Sequence, residues 1–265
     1  MTESREPDLI PLWPKGLPDD DIRHDLPERI VNRDADLNAA GLNRAISNVI
    51  DPGMYVYPCE TNPSGDVVLV CPGGGYHHVT VDKEGHDVAT WLNVLGISAV
   101  VLKYRTRPEG VAKSRELDDP VLRAIERDAQ QAMQTIKREA TNWHIKLSRL
   151  GVMGFSAGSN LAIRLAMASV EEATPDFLAL IYSSVPPGAG KAVDTSWPPV
   201  FFTHANDDTT TPMEGVLDLY DGCRKHNIRT ELHVYPEGGH AFGLGVRGGS
   251  VADWPNRFAA WIQSA

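Results

Sequence analysis

The stretch Leu150-Gly151-Val152-Met153-Gly154-Phe155-Ser156-Ala157-Gly158-Ser159-Asn160 constrains this chain more than any other. A short apolar run passes through Gly-x-Ser-x-Gly into a small-residue segment, with Leu161, Ala162, Leu165 and Ala166 at helical spacing. Strand, sharp turn and helix in that order hold a serine in a strained backbone conformation with its oxygen presented outward. Gly154 and Gly158 fall where a side chain would collide with the adjoining strand or helix. The helix that follows aims its positive N-terminal end at the serine oxygen. Alone, the pattern also describes a small-residue turn between two elements, so the rest of the chain has to decide.

From about Ala45 onward, short apolar runs alternate with amphipathic ones. Strands are expected at 46–50, 54–59, 67–71, 98–103, 150–155, 177–182, 200–204 and 230–235. Helices are expected at 85–95, 121–140, 159–169, 213–226 and 254–264. The central runs are continuous Val, Ile and Leu, as parallel strands buried on both faces require. Their alternation with helices predicts an α/β fold with a mostly parallel, eight-stranded sheet flanked by helices. Ligands on such sheets bind at the C-terminal strand ends. Residues 1–45 are polar and rich in Pro and Asp, and read as an irregular arm packed on a domain spanning 46–265.

At 265 residues the chain suits one large domain. Its net charge of −10, with Lys and Arg scattered, argues against nucleic acid and anionic membrane surfaces as partners. Cys59, Cys71 and Cys223 lack metal-ligand spacing and suit a reduced compartment. The polar, acidic N-terminus has no leader-like apolar region, and no stretch approaches the ~20 apolar residues that span a bilayer. A cytoplasmic protein is expected, unless a leader has been removed. Oligomeric state is not legible.

A serine alcohol needs a base to become a nucleophile, and the base needs an orienting group. On this architecture the order is Ser, then Asp or Glu, then His. Downstream of Ser156, the first strand-end acids are Asp207 and Asp208, and His240 follows in the glycine-rich loop Gly238-Gly239-His240-Ala241-Phe242-Gly243. Asp208 is favoured as the orienting acid because it lies four residues before Pro212, where the next helix should start. Asp207 would then brace the loop. His204 reads as a packed, loop-orienting residue, and His77 and His78 are poor metal ligands because they are adjacent.

The third element is Cys71-Pro72-Gly73-Gly74-Gly75-Tyr76, directly after a predicted strand. Backbone N–H groups aimed at a developing oxyanion each supply ~3–4 kcal/mol. Gly74 and Gly75 should provide two such donors and Ala157 a third. This chemistry requires neither metal nor organic cofactor.

On these residues the chain resembles the α/β-hydrolase superfamily, and more closely the bacterial esterase/lipase group that includes acetylxylan and feruloyl esterase-like enzymes. The resemblance spans roughly 10–262. It also rests on Leu12-Trp13-Pro14-Lys15-Gly16, Asp82-Lys83-Glu84-Gly85-His86-Asp87-Val88-Ala89 and Leu102-Lys103-Tyr104-Arg105. It implies Ser156, Asp208 and His240 as the triad, and Gly74, Gly75 and Ala157 as the oxyanion hole. Pro72 replaces the His that precedes the glycines in hormone-sensitive-lipase-like enzymes. Ser159-Asn160 replaces the Gly-His common in the closer group, so Asn160 is expected to shape the floor of the site.

Fewer than twenty residues separate the strands at 177–182 and 200–204, which predicts little or no cap over the site. An open site with small residues around the serine favours short acyl groups, and the resemblance implies an acetylated sugar or xylo-oligosaccharide as substrate. The alternative is a feruloyl or general short-chain carboxylesterase. Tyr76 is expected either to stack on substrate or to anchor its loop. Lys83 and Glu84 read as an ordinary helix-start pair, and Arg105-Thr106-Arg107 as bracing the arm. A peptidase would use the same triad. A dienelactone hydrolase is disfavoured because that group uses a cysteine nucleophile. A non-catalytic binding module is disfavoured because every triad member is present.

Overall fold

The computed structural model describes residues 6–18, 24–111, 119–168 and 170–264. In chain order the elements begin with β1 (Leu9–Pro11), β2 (Arg29–Asn32), β3 (Arg44–Ser47), β4 (Gly53–Tyr57), β5 (Asp66–Cys71) and β6 (His78–Thr80). A π-helical turn at Asp82–His86 runs into α1 (Asp87–Val94), followed by β7 (Ser98–Lys103), α2 (Pro120–Glu139), β8 (Arg149–Phe155) and α3 (Ala157–Ala168). The chain closes with β9 (Leu178–Ile181), α4 (Ala189–Ala192), β10 (Val200–Ala205), α5 (Met213–Lys225), β11 (Thr230–Tyr235) and α6 (Trp254–Ser264). The expected end of α3 at Ser169, and parts of the 1–45 arm, lie outside the described residues.

Eight strands form one sheet in the order β1-β4-β7-β5-β8-β9-β10-β11. The five pairings from β7 to β11 are parallel, while β1 and β4 close one side antiparallel. Every residue of β7, β9 and β10 is buried. This explains their unbroken apolar character, because helices cover both faces of the sheet's centre. Helix α2 shows how sequence sets such a helix: the Asp119 carboxylate caps Val121 N–H at 2.9 Å, Pro120 opens the first turn, and Val121, Ile125, Ala129, Met133 and Ile136 turn inward.

The structure corrects the N-terminal part of the sequence reading. Of the segment expected as the first sheet strand (46–50), only Ile46 and Ser47 are strand, as the end of β3, which pairs with β2 and β6 in a separate three-stranded antiparallel sheet. The eighth strand of the main sheet is instead β1, drawn from the supposedly irregular arm. It is three residues long and includes Pro11, which an edge strand tolerates because one N–H side faces no partner. Too short to show a period, it gave no strand signal.

Between β9 and β10 the chain forms only the four-residue α4. Among the described residues no helix is long and apolar enough to cross a membrane.

Candidate active site

Ser156 sits between β8 and α3 with φ 53°, the left-handed region that a non-glycine residue occupies only when its surroundings enforce it. Three contacts do so. Ser156 N–H donates to the Ile181 carbonyl at 3.0 Å, while its own carbonyl accepts from Ser159 and Asn160 N–H at 3.0 and 3.2 Å. The glycines on either side are required by close approach. A Cβ at Gly154 would lie 2.3 Å from the Gly158 carbonyl oxygen, and one at Gly158 only 1.9 Å from that of Cys71. Ser159 joins the same staple, its hydroxyl donating to the Gly154 carbonyl at 2.5 Å and accepting Ile181 N–H at 3.2 Å.

His240 and Asp208 complete a relay. His240 Nδ1 lies 2.7 Å from Asp208 Oδ2, and its Nε2 lies 2.9 Å from Ser156 Oγ. A carboxylate can only accept, so Nδ1 carries the proton and Nε2 is left to accept from the serine hydroxyl. Asp208 is buried, which alone would raise its pKa. Hydrogen bonds from His240 and from the Thr211 N–H and hydroxyl outweigh that, and they hold the carboxyl well below the usual carboxylate range. Thr211, absent from the sequence reading, donates its hydroxyl to Asp208 Oδ2 at 2.7 Å. Asp207 accepts Gly239 N–H at 2.7 Å and so braces the histidine loop. His204 is buried, and its Nε2 reaches the Thr211 carbonyl at 2.7 Å, as a loop-orienting residue would.

The loop after β5 is folded by its glycines. Gly73 N–H is taken by Glu84 Oε2 at 2.7 Å. The Gly74 carbonyl accepts His77 N–H at 3.1 Å, across a turn in which Gly75 and Tyr76 have φ 62° and 65°. Among the described residues no protein acceptor takes the Gly74 or Gly75 N–H. Ala157 opens α3, where the first N–H groups have no partner within the helix. Gly74, Gly75 and Ala157 line one cavity with Ser156 and His240, so their amides can face a charge developing beside the serine.

Two anchors were not foreseen. Glu84 is no ordinary helix-start residue: it is buried, and besides Gly73 N–H it accepts the Tyr182 hydroxyl at 2.9 Å. Burial first, and then the Glu84 charge, push the Tyr182 phenol far above its ordinary range and keep it a donor. The Tyr182 ring packs edge-on against His240, with centroids 5.1 Å apart. The second anchor is Asp36 of the arm, which binds Lys83 at 2.9 Å and Arg247 at 2.6 Å. Lys83 Nζ also donates to the Ala241 carbonyl at 2.9 Å, and Arg247 to that of His240 at 3.1 Å. The sequence signal for the first anchor was the motif Asp82–Ala89 that carries the resemblance, and Asp36 had none.

The cavity measures about 630 Å³. Tyr76 and Asn160 both line it and are bound to each other, the Tyr76 hydroxyl donating to Asn160 Oδ1 at 2.9 Å. Arg164 Nε donates to the same oxygen at 2.8 Å. Tyr76 also packs edge-on against Tyr104, with centroids 6.1 Å apart, so it anchors its loop while presenting part of its ring to the cavity. Arg105 pairs with buried Asp128 of α2, and Arg107 pairs with Asp119 and reaches the cavity wall. Among the described residues no group of three or more His, Cys, Asp or Glu is placed to hold a metal, and all three cysteines are buried free thiols.

A serine on a strand–helix elbow above a mostly parallel sheet, followed in chain order by Asp and His, defines an α/β hydrolase. More narrowly, the chain belongs to the dienelactone hydrolase family, whose model matches residues 83–253. The family is thus the one whose namesake activity the sequence disfavoured, and position 156 is serine where that activity uses cysteine. Among curated proteins the chain is similar to an acetylxylan esterase of Xylanibacter ruminicola, 28% identical over a 233-residue alignment that covers 75% of this chain and 46% of that protein. It is also similar to endo-1,4-beta-xylanase B of Butyrivibrio fibrisolvens, 25% identical over a 225-residue alignment that covers 71% of this chain and 34% of that protein. The chain spans less than half the length of these two relatives. Among solved structures it resembles an acetyl ester-xyloside bifunctional hydrolase from Caldicellulosiruptor lactoaceticus, with a TM-score of 0.74 and 26% identity over 98% of both chains.

Proposed function

We propose that the protein is a serine esterase that removes short acyl groups, acetyl foremost, from a carbohydrate such as acetylated xylan or xylo-oligosaccharide. One observation carries this reading: Ser156 Oγ, His240 and Asp208 form a continuous relay of 2.9 and 2.7 Å that opens onto a cavity of about 630 Å³. His240 Nε2 takes the proton as Ser156 Oγ attacks the ester carbonyl, and Asp208 stabilises the imidazolium that results. The oxyanion is received by the amides of Gly74, Gly75 and Ala157, each worth roughly 3 kcal/mol in the transition state. His240 then protonates the leaving alcohol, and water repeats the sequence on the acyl-enzyme.

Short acyl groups are favoured because the serine is surrounded by Gly74, Gly75 and Ala157. Only α4 lies between β9 and β10, which leaves room for a bulky alcohol. Tyr76, fixed by Asn160, is proposed to flank that alcohol. A sugar ester is supported by the named activities of an acetylxylan esterase and an acetyl ester-xyloside hydrolase among the similar proteins.

The test is acetate release from acetylated xylo-oligosaccharides and from 4-nitrophenyl acetate, by wild type and Ser156→Ala. Turnover of both, abolished in the variant, supports the proposal. Turnover of the aryl ester alone would keep the mechanism and remove the sugar. A profile peaking at long-chain esters would remove the acyl assignment.

A further inference from the structure

Arginine recurs in the wall of the catalytic cavity, which Arg33, Arg107 and Arg164 all line. Two are neutralised in place. Arg107 pairs with Asp119, and Arg164 with Glu126 at 2.7 Å. Arg33 is different. Its guanidinium donates to His78 Nε2, and among the described residues no carboxylate lies within ion-pair distance of it. His78 offers no charge in return, because burial first, and then the Arg33 charge, push its pKa down to about 4 and leave it neutral near pH 7.

The acids that share the cavity are already engaged. Glu84 uses one oxygen on Gly73 N–H and the other on the Tyr182 hydroxyl, and Asp119 holds Arg107. Asp208, which does not line the cavity, is held by His240 and Thr211. A half-buried guanidinium with donors to spare therefore faces the space that Ser156 serves, in a protein whose net charge is −10. Leaving such a charge unpaired is unfavourable, and its planar fork of N–H donors matches a carboxylate. Without a local cation, a chain this acidic would repel an anionic substrate.

We infer that Arg33 recognises a carboxylate carried on the alcohol side of the substrate, so that the preferred ester is an acidic one. On a carbohydrate this means an acetylated oligosaccharide bearing a uronic acid residue. The inference rests on the esterase reading and deepens it. His78, neutral and fixed, orients the guanidinium without competing for the anion.

A matched pair of probes tests this: 4-acetoxybenzoate and its methyl ester differ only in the charge of one group remote from the acetyl carbonyl. Acetate release from each is followed for wild type, Arg33→Gln and Arg33→Lys at low and high ionic strength. Wild type should favour the carboxylate probe in kcat/KM by about tenfold, and the preference should shrink as salt rises. Arg33→Gln should abolish the preference and Arg33→Lys retain part of it. Because the readout is a ratio, a general loss of activity in a variant does not mimic the effect. Hydrolysis of the methyl ester by wild type with no preference for the carboxylate, or a preference that survives Arg33→Gln, overturns the inference and leaves the esterase reading standing. Failure of wild type to release acetate from either probe overturns both.

Discussion

The Tyr182 hydroxyl donates to Glu84 Oε1 at 2.9 Å, and that bond joins the glycine loop after β5 to the loop that carries His240. On one side Glu84 holds Gly73 in the loop proposed to receive the oxyanion; on the other, Tyr182 packs against the His240 ring and accepts Gly243 N–H at 3.3 Å. Glu84→Gln presents an amide N–H₂ to one of two donors and so breaks one of these bonds. The loss should be about 1–3 kcal/mol of stability, with kcat for 4-nitrophenyl acetate falling tenfold or more while KM changes little. Equal activity and an unchanged melting temperature would show that the two loops hold themselves.

The elbow makes a sharper claim about sterics. A Cβ at position 158 would sit 1.9 Å from the Cys71 carbonyl oxygen, backbone against backbone, with no side chain free to yield. Gly158→Ala should cost about 3 kcal/mol or more, a fall in Tm on the order of 10 °C for a chain of this size. A calorimetric shift within a degree or two would mean that the strand and helix can part without penalty.

Asp36 gives the arm a role in the site. Lys83 is nearly buried at 5% side-chain exposure, and Asp36 is its carboxylate partner. Asp36→Ala leaves that ammonium with only the Ala241 carbonyl, a loss of at most about 3 kcal/mol. It also frees Arg247, which steadies the His240 carbonyl. Urea unfolding should show lower stability, and kcat should drop several-fold because the histidine loop is less well placed. A variant with wild-type kcat would confine Asp36 to stability alone.

Histidines held neutral by burial make the fold sensitive to mild acid. His78 is lowered from 6.5 to about 4, and His86 and His204 are lowered in the same direction. The unfolded chain takes up these protons first, so stability is fully present above about pH 6.5 and declines as pH falls toward 4. Asp208 and Asp36, held below the usual carboxylate range, add a second loss below about pH 4 as they protonate more readily in the unfolded chain. Urea midpoints measured from pH 7 to pH 4 should fall, and the His78→Gln variant should show a shallower decline. A flat profile across that window would contradict the assignment.

The relay was legible because its three members are announced by chain order and turn chemistry: a crowded Gly-x-Ser-x-Gly, an acid after a strand, and a histidine among glycines. The central strands were legible because burial on both faces writes continuous apolar runs. What stayed hidden depends on contacts between distant segments. Strand β1 is three residues at a sheet edge, too short for a period. The expected strand at 46–50 overlaps β3 only at Ile46 and Ser47, and only the pairing of β3 with β2 and β6 decides which sheet it joins. Glu84 looked like a helix-start acid because sequence cannot show that Gly73 and Tyr182 converge on it from 11 and 98 positions away. Arg33 gave no signal at all, since its importance lies in which wall it occupies.

Whether Ser156 is the nucleophile is decided by intact-protein and peptide mass spectrometry after treatment with a fluorophosphonate. One phosphonyl adduct per chain is expected, located on Ser156, absent in Ser156→Ala and strongly slowed in His240→Ala. An adduct elsewhere, or equal labelling of Ser156→Ala, would contradict it.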